Sequence, residues 1–285
     1  MPTLPRMITL PDDSIFGHTY QMHNRDLLLK ENNKKRLLLN CLKAYQPKTN
    51  EDIAAYAFCI LEDRYFLAGG INGDHTKYSK WMQLAHSVFA VSFNRRHKTK
   101  GKHRSGAIGN SRPFTSPVED SEALMCLLFA LDYAPVDAGL VDKPEDWAWS
   151  SYRLYAHGKV NEYTEALTFP RWYLELGITM QERQKKYRTL GRKFYQSGRL
   201  KTIIGTLNAN RPIGSEKYRM RQMKLRMGIR TNREKLAKMG DKALRGLILY
   251  AFSPSFRNAE IAAETIPVFI AELAREAVTH VLPDR

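Results

Sequence analysis

Cysteine is scarce in this chain of 285 residues: Cys41, Cys59 and Cys126 stand far apart, with no CxxC pair. That excludes a disulfide framework and a cysteine-rich zinc module. No apolar run approaches the roughly 18 residues a membrane span needs. The opening MPTLPRMITLPDDS has no apolar stretch of signal-peptide length. A reducing, cytoplasmic setting is therefore expected, with no membrane association. Internal repeats and low-complexity tracts are absent. The 8 histidines include no pair at i, i+2 or i, i+4, so no metal-ligand set is expected from spacing. Acid is also short, with 29 Asp and Glu against 45 Lys and Arg, a net charge of +16. An excess of that size points to nucleic acid, an anionic membrane surface or an acidic partner.

The charge is concentrated. Residues 181–245 hold 20 Lys/Arg and 4 Asp/Glu, an excess equal to that of the whole chain. A second run, Arg95-Arg96-His97-Lys98-Thr99-Lys100-Gly101-Lys102-His103-Arg104, has six fixed positive charges and no acid. One such run reads as a solvated loop. Two runs flanking a patterned domain fit a polyanion, because phosphate contacts reward sequence-independent charge through counterion release.

Periodicity supplies the rest. Phe16, His18, Tyr20 and Met22 alternate as a strand does. Residues 31–45 fit a helix capped by Asn32 or Asn33, and 54–61 and 64–71 fit two strands. Residues 76–97 fit a long helix with Trp81, Met82, Phe89 and Phe93 on its apolar side. Residues 98–111 read as a loop and 112–118 as a short strand. Ser121 is the expected cap of a helix over 122–133 that Pro135 ends. The order β-α-β-β-α-β-α predicts an α+β fold: a ferredoxin-like antiparallel sheet with helices on one face, followed by a basic helical C-terminal region. The composition shift places a boundary between a nucleic-acid-binding domain over 1–178 and the basic helical region over 179–285.

Several phrases carry a family resemblance. Tyr133-Ala134-Pro135-Val136-Asp137-Ala138-Gly139-Leu140-Val141, followed by Asp146-Trp147-Ala148-Trp149-Ser150-Ser151-Tyr152, is similar to "YIxLNPVRAGLV … WxWSSY". Trp81-Met82-Gln83 with Phe93-Asn94-Arg95-Arg96, the run Arg112 to Asp120, and Tyr20 to Arg25 resemble three further phrases in the same order. They belong to the single-tyrosine HUH transposases, in the REP-associated tyrosine transposase branch, and cover about residues 10–175. The resemblance implies a DNA partner, stem-loop or single-stranded, and the machinery of DNA transposition. Members of the family occur as monomers and as dimers, so the oligomeric state stays open.

The resemblance also implies where the chemistry should sit. Two histidines at i and i+2 on the second strand of the hairpin hold a divalent metal, and a helix tyrosine attacks the phosphorus. Here those places hold Arg64, Phe66 and Ala130, and Gly109 stands where a tryptophan is expected. None of the three can ligate a metal or attack. A DNA-binding protein impaired in strand transfer is therefore expected, with no cofactor unless a metal site has been rebuilt. Arg64 stands at the phosphate-binding face and could contact phosphate directly; a surface arginine is the plain alternative. Tyr133, three residues after Ala130, is the candidate for a displaced nucleophile, with a core tyrosine as its alternative. It keeps open the reading of an active transposase or nuclease. The expected nucleic-acid contacts are Arg64, Arg95, Arg96, Lys98, Lys100, Lys102, Arg104, Arg112, Lys185, Lys186, Arg192 and Lys193. Trp147, Trp149, Tyr152 and Tyr155 suit either core packing or base stacking. An RNA-binding protein is the third reading, since ferredoxin-like sheets also present aromatics to RNA.

Overall fold

The computed structural model describes residues 13–47, 52–96, 98–99, 102–103, 108–109 and 113–231. Its centre is a four-stranded sheet of β1 (Ile15–Gln21), β2 (Ile53–Ile60), β3 (Arg64–Ile71) and β6 (Phe114–Val118). The strands lie in the order β2-β3-β1-β6 and every pairing is antiparallel. This is the ferredoxin-like order, with β1 and β3 in the middle. Helices α1 (Asn32–Tyr45) and α2 (His75–Arg96) lie together on one face, as expected. The other face is also covered, by α3 (Ser121–Asp137) and α7 (Arg199–Asn208).

Strand alternation sorts the core. On β3, Tyr65, Leu67 and Ile71 join the α1/α2 side, and Phe66 and Ala68 join the α3 side. On β2, Ile53 and Ala55 face α1/α2, a bulge falls between Ala55 and Ala57, and Phe58 and Ile60 then take that face. The extra residue reverses the parity, so both halves of the strand bury apolar side chains correctly. Gly17 lets the α3 side approach β1: a Cβ there would lie 2.9 Å from Leu127 and 3.0 Å from Leu207.

Helix ends depart from the sequence reading in three places. The side chain of Asp120, not Ser121, caps α3, accepting from the Ala123 amide at 2.9 Å. Pro135 does not end that helix, which continues to Asp137. A proline in a last turn removes only one backbone donor, close to where the helix stops anyway. Glu31 precedes α1 without a side-chain capping bond, its carboxylate accepting from Lys34 at 2.7 Å instead; Asn32 accepts from the Trp149 indole at 3.0 Å. The segment expected as a loop at 98–111 contains a small hairpin, β4 (Lys98–Thr99) with β5 (Lys102–His103).

Beyond the sheet, α4 (Tyr152–His157) and α5 (Arg171–Leu174) lead to α6 (Met180–Gln196), α7 and α8 (Glu216–Thr231). Thr179 and Glu182 form a capping box at the start of α6. The boundary expected at 178/179 does not divide the core. Tyr187, Phe194, Leu200, Ile203 and Leu207 pack in one cluster with Phe66, Leu127 and Ala130. The α6–α7 pair carries an amphipathic stripe whose natural partner is α3 and the sheet face. No described helix is long and apolar enough to cross a membrane.

Candidate nucleic-acid interface

Two of the three positions that the resemblance gives to metal and nucleophile lie inside the core. Phe66 on β3 and Ala130 on α3 are both 0% exposed and belong to one apolar cluster. Among the described residues no group of three His, Cys, Asp or Glu could hold a metal ion.

Arg64 begins β3 and is not the open cation expected of it. Its guanidinium grips Asp63 in a two-pronged pair, Nε to Oδ1 at 3.0 Å and Nη2 to Oδ2 at 2.7 Å. With its amide turned to satisfy both neighbours, Gln21 accepts from Arg64 and Arg25 as well. The guanidinium charge is thus paired with a carboxylate within the β2–β3 turn.

Tyr133, the candidate for a displaced nucleophile, lies among packed aromatic rings. It is 7% exposed, its ring stacked on Tyr195 at 4.8 Å and 19° and edge-on to Tyr152. Burial pushes its hydroxyl up to about 12, with the neighbouring Asp132 adding to the effect and Arg192 opposing it. A phenol this hard to ionise, held within aromatic packing, is a poor nucleophile. Two residues past Ala130, Asp132 is 1% exposed and accepts from the Tyr187 hydroxyl. Burial raises its carboxyl to about 8 despite that bond, so it is protonated at neutral pH.

The aromatic group after α3 is committed to packing. The Trp147 indole donates to the Ile60 carbonyl at 3.0 Å. Lys35, 2% exposed, lies between the two tryptophans, its ammonium 5.2 Å from the Trp147 ring and 5.8 Å from that of Trp149. That ammonium also donates to the Lys30 carbonyl at 2.8 Å. Tyr155 is buried and donates to the Tyr56 carbonyl at 2.7 Å; Tyr152 is 4% exposed. Tyr152 and Tyr155 are core residues, and Trp147 and Trp149 are partly buried against the two core clusters.

The basic residues form two separated groups. Arg95 and Arg96 are exposed at the end of α2, over one sheet face. They lead into the β4–β5 hairpin, whose backbone carries Lys98 and Lys102. The chain returns from that hairpin through Ile108, whose carbonyl accepts from the His23 amide at 2.7 Å, and Gly109, which bridges to Met22. A Cβ on Gly109 would collide with the Tyr20 ring, itself stacked on His86 at 4.3 Å. The ring leaves no room for the tryptophan expected there. Lys100, Arg104 and Arg112 lie outside the described residues.

The second group runs along α6, on the opposite side of the sheet. Lys185, Lys186, Arg192 and Lys193 are exposed, while Tyr187, Gly191 and Phe194 face the core. Among the described residues none of these four cations is in an ion pair. Arg183 and Arg188 on the same helix have structural roles instead. Arg183 donates to the Gly177 carbonyl at 2.8 Å, and Arg188 donates to the Ala156 carbonyl. Periodicity finds this stripe from sequence, but it does not separate the open cations from those engaged with backbone.

A cleft of about 340 Å³ opens between the start of α3, α7 and residues 213–219. Glu119, Asp120 and Glu122 share its lining with Arg199 and Arg219. Glu119 accepts from the Ser215 hydroxyl at 2.9 Å and Asp120 caps α3. Three acids beside two arginines make this a poor phosphate site.

No family model matches the chain, and no curated protein matches it. Among solved structures it is similar to a REP-associated tyrosine transposase bound to a REP hairpin. The identity is 14% and the TM-score 0.45, over 56% of this chain and 89% of that one.

Proposed function

We propose that this protein binds DNA without joining it covalently, taking hairpin or single-stranded DNA along its basic surfaces. The observation that carries the reading is the outward face of α6, where four cations are exposed and unopposed by any described acid partner. Such a row suits a phosphate backbone, and it gives affinity without sequence preference. The phrases that resemble those of tyrosine transposases support DNA as the ligand class. The apolar filling at Phe66 and Ala130 argues against strand transfer. The burial of Tyr133 argues against an active transposase with a displaced nucleophile.

A stem-loop DNA offered with Mg²⁺, with Mn²⁺ and with EDTA tests the whole reading. Binding equal in all three, with no adduct surviving boiling in SDS, is the expected result. An adduct that disappears in Tyr133→Phe overturns the non-covalent part, and tighter binding of an RNA hairpin of the same sequence overturns the choice of DNA.

A further inference from the structure

Tyr195 was not among the aromatics that the sequence singled out, and it differs from all of them in the structure. It lies in the last turn of α6, three residues after Arg192 and two after Lys193. Trp147 and Trp149 have a lysine over their rings, and Tyr152 and Tyr155 are buried, whereas Tyr195 is 36% exposed. One face of its ring lies on Tyr133, 4.8 Å away and 19° from parallel. The exposed area therefore belongs to the edge and the opposite face.

The ring has a firm base. Tyr133 is 7% exposed and meets the Tyr152 edge at 6.2 Å and 80°. Tyr152 in turn lies 6.4 Å from Tyr187, which is 1% exposed and bonded to Asp132. An aromatic held this way loses little freedom when a flat ligand settles on it. The space past the helix end is open: a Cβ on Gly198, three residues on, would meet nothing within 4 Å. Arg192 lies near enough to act on the Tyr133 hydroxyl, where Asp132 and Glu145 oppose it.

We propose that the C-terminal end of α6 is a binding site for an unpaired base of DNA. Tyr195 is the stacking platform, and Arg192, three residues earlier on the same side of the helix, holds a flanking phosphate. The ladder Tyr133–Tyr195 then continues by one more ring, the base itself. Stacking is tolerant of sequence because every base has a π-face, and a neighbouring cation track supplies the backbone contact. The site deepens the DNA-binding reading and rests on it, since it selects unpaired over paired DNA within that ligand class.

The test uses the full chain and three labelled probes: an oligothymidine strand, a blunt duplex of the same length, and oligouridine. Tyr195→Ala should weaken oligothymidine binding about 5- to 150-fold, the range that base–aromatic stacking supplies. Duplex binding should stay within twofold. Tyr195→Phe should bind as the parent does, and Tyr195→Leu, which keeps apolar cover over Tyr133, should behave like Tyr195→Ala. Thermal melts of all variants within a few degrees of the parent exclude loss of fold as the cause. Equal oligothymidine binding by parent, Tyr195→Ala and Tyr195→Leu overturns the site while leaving DNA binding intact. A parent that binds no probe overturns the underlying reading, and a parent that binds oligouridine but not oligothymidine overturns DNA as the ligand.

Discussion

Asp132 shows how one buried side chain sets a property of the whole protein. Its carboxyl titrates near 8 in the folded state, because burial penalises the charge more than the Tyr187 bond favours it. In the unfolded chain it returns to the ordinary value of 3.8. Between those two values the folded state holds a proton that the unfolded state has released. The contribution is complete below pH ~4, falls through the window up to pH ~8, and is gone above it. Within the window stability should fall by up to about 1.4 kcal/mol per pH unit from this group. Asp132→Asn should flatten that slope in urea titrations run from pH 5 to 8; an unchanged slope would show that the carboxyl is ionised in the core. Lys35 is a second such residue. Lys35→Ala removes a cation from between two indoles and leaves the Lys30 carbonyl without its donor, a loss of about 1–3 kcal/mol. Urea midpoints of the variant and parent measure it.

Elements decide what single residues cannot. Strand β3 and helix α3 come together so closely that Phe66 and Ala130 are wholly enclosed. Placing a tyrosine at this position by Ala130→Tyr should therefore destabilise the fold by about 1–3 kcal/mol through overpacking. It should not create a covalent activity. A variant as stable as the parent that traps DNA on an SDS gel would show that this packing opens. Helix α6 divides its cations between two tasks. Lys185→Glu with Lys193→Glu should flatten the dependence of log K on log salt by roughly 0.7 per lost contact on single strands. Arg183 and Arg188, which hold backbone carbonyls, should affect stability more than the salt slope when changed to methionine. An identical slope in the double variant would remove α6 from the interface.

At the scale of the molecule, the described residues form layers: α1 and α2, the sheet, α3 with α7, and α6 over α3. Because α6 and α7 complete the second core, a chain ending at residue 178 loses Tyr187, Phe194, Leu200, Ile203 and Leu207 from it. It should not unfold cooperatively, and it should bind a hydrophobic dye that the full chain ignores. A truncated chain that melts sharply near the parent's temperature would re-establish the boundary at 178/179. The layers also hold Arg95 and Arg96 and the α6 row apart, on opposite sides of the sheet.

The alternation of β1, the long apolar stripe of α2 and the breaks between elements are local properties of the chain. They were enough to determine the element order and the ferredoxin-like class. The basic row on α6 was legible for the same reason, since helical periodicity alone places Lys185, Lys186, Arg192 and Lys193 together. Other features depend on how the chain is folded rather than on its local pattern. The pairing of Arg64 is with its neighbour Asp63, yet only the turn geometry closes it. The enclosure of Lys35 by Trp147 and Trp149 joins segments more than a hundred residues apart. The same is true of the sharing of one core across residue 178. Composition marks where the charge begins, but burial follows from which surfaces meet, and only the tertiary structure decided that Tyr195 stays exposed while Tyr133 beneath it does not.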